Sequence, residues 1–259
     1  MNIFSVGINK YGGGSSLYGC VNDVSNLHTA LQAMIYQPDT RWIMTDKEAT
    51  GVKIRDGLKW LQGQGGTVVF QYSGHGTLIA DRSGDEADKI DGAIVPVDYG
   101  KRGVILDDEI AGFVDRATRC KVILFLDSCY AGETQRGALI KASERLLRRP
   151  IPRFITTKAT PPNSTLLNYD AKKFLDINSE RSVLVATSQP TVTSADAYID
   201  GKYQGAGTYA LIRAWKQLGR TASYLRVQEV ANAWLLQNRY EQRITLGGTA
   251  ANLQKPFLT

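Results

Sequence analysis

Two unbroken apolar runs restrict this chain more than any other feature. Residues 67–71 read Thr-Val-Val-Phe-Gln and residues 122–126 read Val-Ile-Leu-Phe-Leu, each bounded by Gly, Ser or Asp turn residues. A half-exposed strand alternates apolar with polar, whereas a continuous apolar strand needs cover on both faces, as in a mostly parallel sheet between two helical layers. Further apolar runs at 3–8, 42–45 and 182–188 alternate with helical periodicity at about 23–36, 51–61, 107–116, 208–218 and 225–239. That order predicts an α/β sandwich with three αβα layers. A small hairpin is expected around the Asp200-Gly201 turn, and residues 255–258 are expected as a last edge strand.

Each long run ends in a short polar motif, Tyr-Ser-Gly-His-Gly at 72–76 and Asp-Ser-Cys-Tyr-Ala-Gly at 127–132. Ligands of parallel sheets bind beyond the carboxyl ends of the strands, where both motifs fall. The chain has only two histidines and three cysteines, so any imidazole or thiol chemistry has few candidates. His28 belongs to a helical pattern and Cys120 enters a strand, and both read as structural. Cys129 follows its strand and is expected to expose its thiol, with His75 at the equivalent place on the other strand. An imidazole beside a thiol supplies thiolate character and a proton for a leaving amine. The N–H groups of Gly76 and Cys129 are the candidate oxyanion donors. Residues two apart on an extended chain share a side, so Ser73 goes with His75 and Asp127 with Cys129.

Other classes fit poorly. No apolar stretch reaches the roughly 18 to 20 residues of a membrane span, and the first residues read as a strand, which makes a cytoplasmic location the expectation. Three cysteines without a C-x-x-C spacing suit a reducing compartment, and two histidines give zinc little support. The net charge of +6 is uneven: residues 136–158 hold seven bases and one acid, while 81–109 hold nine acids and four bases. That distribution does not make a nucleic-acid groove. Gly12-Gly13-Gly14 lacks the third glycine of a dinucleotide loop, Leu17 standing in its place, and reads as a strand-to-helix connector.

The histidine motif followed 54 residues later by Asp-Ser-Cys-x-x-Gly resembles the caspase-fold cysteine peptidases, most closely the metacaspases and the prokaryotic orthocaspases. Gly19-Cys20-Val21-Asn22-Asp23, Asp91-Gly92-Ala93-Ile94-Val95-Pro96-Val97-Asp98, Ile105-Leu106-Asp107-Asp108-Glu109, and Ala186-Thr187-Ser188-Gln189-Pro190 with Ala195-Asp196-Ala197 later, stand in the family's order. The resemblance implies one caspase-like domain: a segment 1–132 with the dyad, a basic linker 133–179 expected to be exposed, and a smaller segment 180–259. It implies a cysteine endopeptidase, with His75 and Cys129 as dyad and Cys20, Asp23, Ser73 and Asp127 lining a pocket for arginine or lysine. Two carboxylates suit a guanidinium through charge-assisted hydrogen bonds, although Asp23 also reads as a helix N-cap. The partners implied are peptides or proteins with Arg or Lys before the scissile bond, the protein being a monomer, and Arg136, Arg145, Arg148, Arg149 and Arg153 become self-cleavage candidates. Asp91, Asp107 and Asp108 match the family's calcium ligands, but the run Glu133-Thr134-Gln135-Arg136 lacks the further aspartate expected there. No cofactor is required on this reading, and calcium independence or weak stimulation is expected. A caspase-like scaffold with little turnover is the alternative.

Overall fold

The computed structural model describes residues 1–12, 14–34, 38–80, 90–129, 150–158, 160, 180–189 and 192–259. A six-stranded sheet forms the centre. Its strands are β1 (Asn2–Gly7), β2 (Thr40–Thr45), β3 (Gly66–Ser73), β7 (Cys120–Asp127), β9 (Ser182–Ala186) and β12 (Thr245–Gly247), in the order β12-β9-β7-β3-β1-β2. Only β12 runs antiparallel to its neighbour.

The apolar runs are unbroken because each face has its own helical layer. Val68, Phe70, Val122 and Leu124 pack with Ile54, Leu58 and Phe113 of α2 (Gly51–Gln62) and α4 (Asp107–Arg116). Their alternates Val69, Ile123 and Phe125 pack on the opposite face. There they meet Leu27, Leu211 and Val227, from α1 (Cys20–Ala33), α5 (Ala206–Leu218) and α6 (Tyr224–Gln237). Thr50 and Ser223 cap α2 and α6, each side chain accepting a hydrogen bond from the N–H three residues on.

Two small antiparallel sheets sit beside the carboxyl ends of the central strands. One joins β4 (Gly76–Ala80), β5 (Ile90–Ile94) and β6 (Ile105–Leu106); the other joins β8 (Ile151–Pro152), β10 (Ala195–Ile199) and β11 (Lys202–Gly205). The β10–β11 turn holds Asp200 and Gly201 at positive φ, as an Asp-Gly hairpin requires. Two shorter helices, α3 (Tyr99–Arg102) and α7 (Ala250–Leu253), also lie among the described residues. Among the described residues, no helix is long and apolar enough to cross a membrane.

Three expectations change. Residues 255–258 form no strand: Pro256 makes only an isolated bridge to Ser223, and Phe257 is buried edge-on against Trp215 and Tyr224. Helix α1 starts at Cys20, so Asp23 lies within its first turn and is no cap. Residues 153–155, within a stretch expected as an exposed linker, enter the interior, and Arg153 is fully buried there. Apart from 150–158 and Thr160, the stretch 133–179 lies outside the described residues, with Arg136, Arg145, Arg148 and Arg149.

Candidate active site

Strands β3 and β7 lie side by side with Ser73 opposite Asp127, which puts His75 and Cys129 just beyond neighbouring strand ends. The Cys129 backbone passes so close to Gly76 that a Cβ there would stand 2.2 Å from the Cys129 carbonyl oxygen, and only glycine permits that approach.

His75 is held from three sides. Its N–H donates to the Tyr11 hydroxyl at 3.0 Å, its carbonyl accepts from the Tyr72 hydroxyl at 2.7 Å, and its Nε2 lies 2.7 Å from the Ser15 carbonyl oxygen. A carbonyl only accepts, so Nε2 carries the proton and Nδ1 presents a lone pair. That Nδ1 is buried and forms no hydrogen bond. Burial lowers the imidazole pKa to about 4, although the Ser15 and Arg153 carbonyls pull it upward, and the ring is neutral at pH 7.

Arg153 arrives where the chain crosses between β10 and β4. Ile151 and Pro152 pair with Asp196 and Ala195, and the Arg153 N–H donates to the Ser194 carbonyl at 3.0 Å. The Arg153 carbonyl oxygen accepts from the Gly76 N–H at 2.9 Å and the Cys129 N–H at 3.3 Å, the two donors expected to hold an oxyanion. Its guanidinium fills a wholly buried acidic pocket. Nη2 donates to Asp23 Oδ2 at 2.7 Å and Asp196 Oδ1 at 2.9 Å, while Nη1 donates to Ser73 Oγ at 2.7 Å and stands 3.1 Å from Asp127 Oδ1.

The carboxylates are themselves anchored. Asp23 accepts from the Gly205 N–H at 2.8 Å, and Asp127 from the Ser194 and Thr208 hydroxyls at 2.6 and 2.5 Å. Asp196 accepts from the Tyr18 N–H at 2.7 Å. Burial raises the Asp23 pKa to about 7, with Arg153 pulling against it. Burial alone would lower the guanidinium's pKa, but Asp127, Asp23 and Asp196 outweigh it and keep Arg153 charged. Cys20 is buried within reach of that charge, and burial pushes its thiol well up.

The expected group His75, Gly76, Cys129, Cys20, Asp23, Ser73 and Asp127 thus converges on one place. The Cys129 thiol, expected to be exposed, is fully buried, its Sγ 3.7 Å from the Val192 carbonyl oxygen, because the segment carrying Arg153 crosses this strand end. His28 is structural, its Nε2 3.0 Å from Ser5 Oγ. Ser194, Asp196 and Thr208 complete the pocket: Ala195-Asp196-Ala197 stands out in the sequence without a role attached to it, and Thr208 carries no signal of its own. Ser15, in the glycine-rich connector, acts through its backbone carbonyl and leaves no trace in side-chain chemistry.

Asp91, Asp107 and Asp108 stand apart on β5 and α4. Burial, then the charge of Asp91, raises Asp107 to about 7, and its carboxylate accepts from the Gly92 and Asp108 N–H groups. Among the described residues, no three His, Cys, Asp or Glu side chains are arranged to hold a metal ion.

A family model for the metacaspase, peptidase C14 domain matches residues 3–136. The chain belongs to the metacaspase family. Metacaspase-1B of Aspergillus clavatus is 30% identical, the match covering 92% of this metacaspase and 66% of the fungal protein. Metacaspase-1B of Aspergillus fumigatus is also 30% identical, over 92% and 67%. This metacaspase therefore spans about two thirds of the length of these relatives. The crystal structure of a Geobacter sulfurreducens protein superposes with a TM-score of 0.69 at 22% identity, covering 100% of this chain and 98% of that one, and shares its fold.

Proposed function

We propose that this metacaspase is a cysteine endopeptidase that hydrolyses the bond after arginine or lysine and processes itself at Arg153–Phe154. The observation that carries the reading is the double seating of Arg153, its guanidinium among three carboxylates and its carbonyl oxygen on the Gly76 and Cys129 N–H groups. A substrate arginine would bind in the same way. His75 Nδ1 takes the Cys129 proton, and the thiolate adds to the carbonyl carbon. The oxyanion is held by the two N–H groups as charge develops on it. Collapse breaks the C–N bond, the imidazolium protonates the departing amine, and a thioester remains on Cys129. Water, deprotonated by His75, then displaces the thiolate and gives a carboxylate. The Nε2–H bond to Ser15 keeps Nδ1 as the basic atom throughout. Aspartate before the bond would meet an acidic pocket that offers its carboxylate no cation and would be refused. Calcium has no part in this sequence of steps.

The test compares wild type with Cys129→Ala on peptides differing only in Arg, Lys or Asp before the bond. Turnover of the Arg and Lys peptides by wild type alone is expected. Equal turnover by both proteins, or cleavage after Asp, would refute the reading.

A further inference from the structure

The chain does not leave the site once it has passed Arg153. Phe154 and Ile155 are only 4% and 6% exposed and belong to the apolar layer that also holds Leu78 and Ile94. Phe154 bridges Gly76 in parallel register, and the Ile155 N–H donates to the Gly76 carbonyl at 3.1 Å. Further on, the Thr157 N–H donates to Thr160 Oγ1 at 2.8 Å, and that hydroxyl lies 3.2 Å from Thr77 Oγ1 on β4. Successive residues of an extended chain point to opposite sides, so the burial of both Phe154 and Ile155 means that the cleft covers both. Beyond them lies a cavity of about 550 Å³ lined by Arg55, Ile79, Val104, Leu106, Thr157 and Lys158.

Holding a scissile carbonyl against Gly76 and Cys129 needs only backbone. Two large apolar side chains buried immediately after it are a separate property of the cleft. We propose that this cleft is the leaving-group side of the substrate site, with apolar subsites for the first and second residues after the bond and the adjoining cavity for those beyond. The inference rests on reading Arg153–Phe154 as the bond seated for cleavage. A protein substrate takes the place of residues 154–158, which hydrolysis frees as a new amino terminus.

The experiment uses purified wild-type protein, with Cys129→Ala as blank, and four peptides sharing Ile-Pro-Arg. Three are internally quenched and continue with Phe-Ile-Thr, Ala-Ala-Thr or Asp-Asp-Thr; the fourth carries an aminocoumarin and nothing further. Burying two large apolar side chains in place of methyls predicts a kcat/KM about 30-fold higher for Phe-Ile than for Ala-Ala, with Asp-Asp lower still. A Phe-Ile to Ala-Ala ratio below tenfold, with the coumarin substrate cut, overturns the subsites and leaves the peptidase reading standing. No Cys129-dependent cleavage of any of the four overturns the peptidase reading on which they rest.

Discussion

Two acids in this metacaspase, Asp23 and Asp107, are both raised first by burial, and their charged neighbours then act on them in opposite directions. At the Arg153 pocket, burial pushes Asp23 up to about 7 while the guanidinium holds it back. At the start of α4, burial also takes Asp107 to about 7, but there the next cause, the charge of Asp91, pushes the same way. The first group is organised around a cation and the second around mutual repulsion. In the Arg153 pocket, Ser73, Ser194, Thr208 and Gly205 fix the carboxylates around the volume that the guanidinium fills, whereas at α4 the N–H groups of Gly92 and Asp108 hold Asp107 next to Asp91. A shared count of acids says little about which of the two a region is.

Removing the cation is the strongest way to break the contrast. Arg153→Ala leaves Asp23, Asp127 and Asp196 buried without their partner and should cost about 3–5 kcal/mol of stability. With the guanidinium gone, the Asp23 pKa rises further. An acid whose folded pKa is raised adds stability at low pH and loses it as pH climbs through the folded value, so the loss should be larger at pH 8.5 than at pH 5.5. Thermal unfolding at the two pH values measures it, and an equal loss at both would show that the acids are not desolvated.

Asp107→Asn should act in the opposite sense. It removes a carboxylate whose ionisation is opposed by burial and by Asp91, so the variant should gain on the order of 2 kcal/mol over wild type at pH 8. The gain should shrink as pH falls below about 7 and vanish only at about pH 4, where the carboxyl is protonated in the unfolded chain as well. If calcium raises the melting temperature of wild type at pH 8 but not of the variant, this corner is a cation site after all and the contrast fails.

A single hydrogen bond sharpens the pocket itself. Ser194→Ala removes the 2.6 Å hydrogen bond to Asp127 while the backbone carbonyl that receives the Arg153 N–H remains. A lost hydrogen bond to a charged group is worth about 1.5–3 kcal/mol, so kcat/KM for an arginine peptide should fall roughly tenfold or more. An unchanged value would mean that Thr208 alone fixes Asp127.

The central sheet was legible because its signals are local. A run such as Val122 to Leu126 needs helices on both faces whatever the rest of the chain does, and the layers on either side of β7 meet that need. The motif glycines likewise marked where the chain leaves the sheet. The edge strand was misjudged because Pro256-Phe257-Leu258 has strand-like apolarity, yet its side chains are buried among helices. The small sheets of β4–β6 and of β8 with β10 were read only at the one hairpin that carries a turn signature. Their other pairings join short segments whose partners are set by the fold.

What the sequence by itself determined is the covered parallel sheet, the delivery of His75 and Cys129 to adjoining strand ends, and Asp127 beside them, whereas Asp23 was placed there only by the resemblance. Periodicity and side-chain type carry that information within a few residues. Only the tertiary structure decided that Arg153, from a stretch that reads as solvated linker, fills the pocket, that Asp196 joins it, and that the Ser15 carbonyl sets the imidazole tautomer. The physical reason is range and chemistry together. Arg153 meets Asp23 across 130 residues of chain, and a backbone carbonyl is a group every residue owns, so its role follows from position alone.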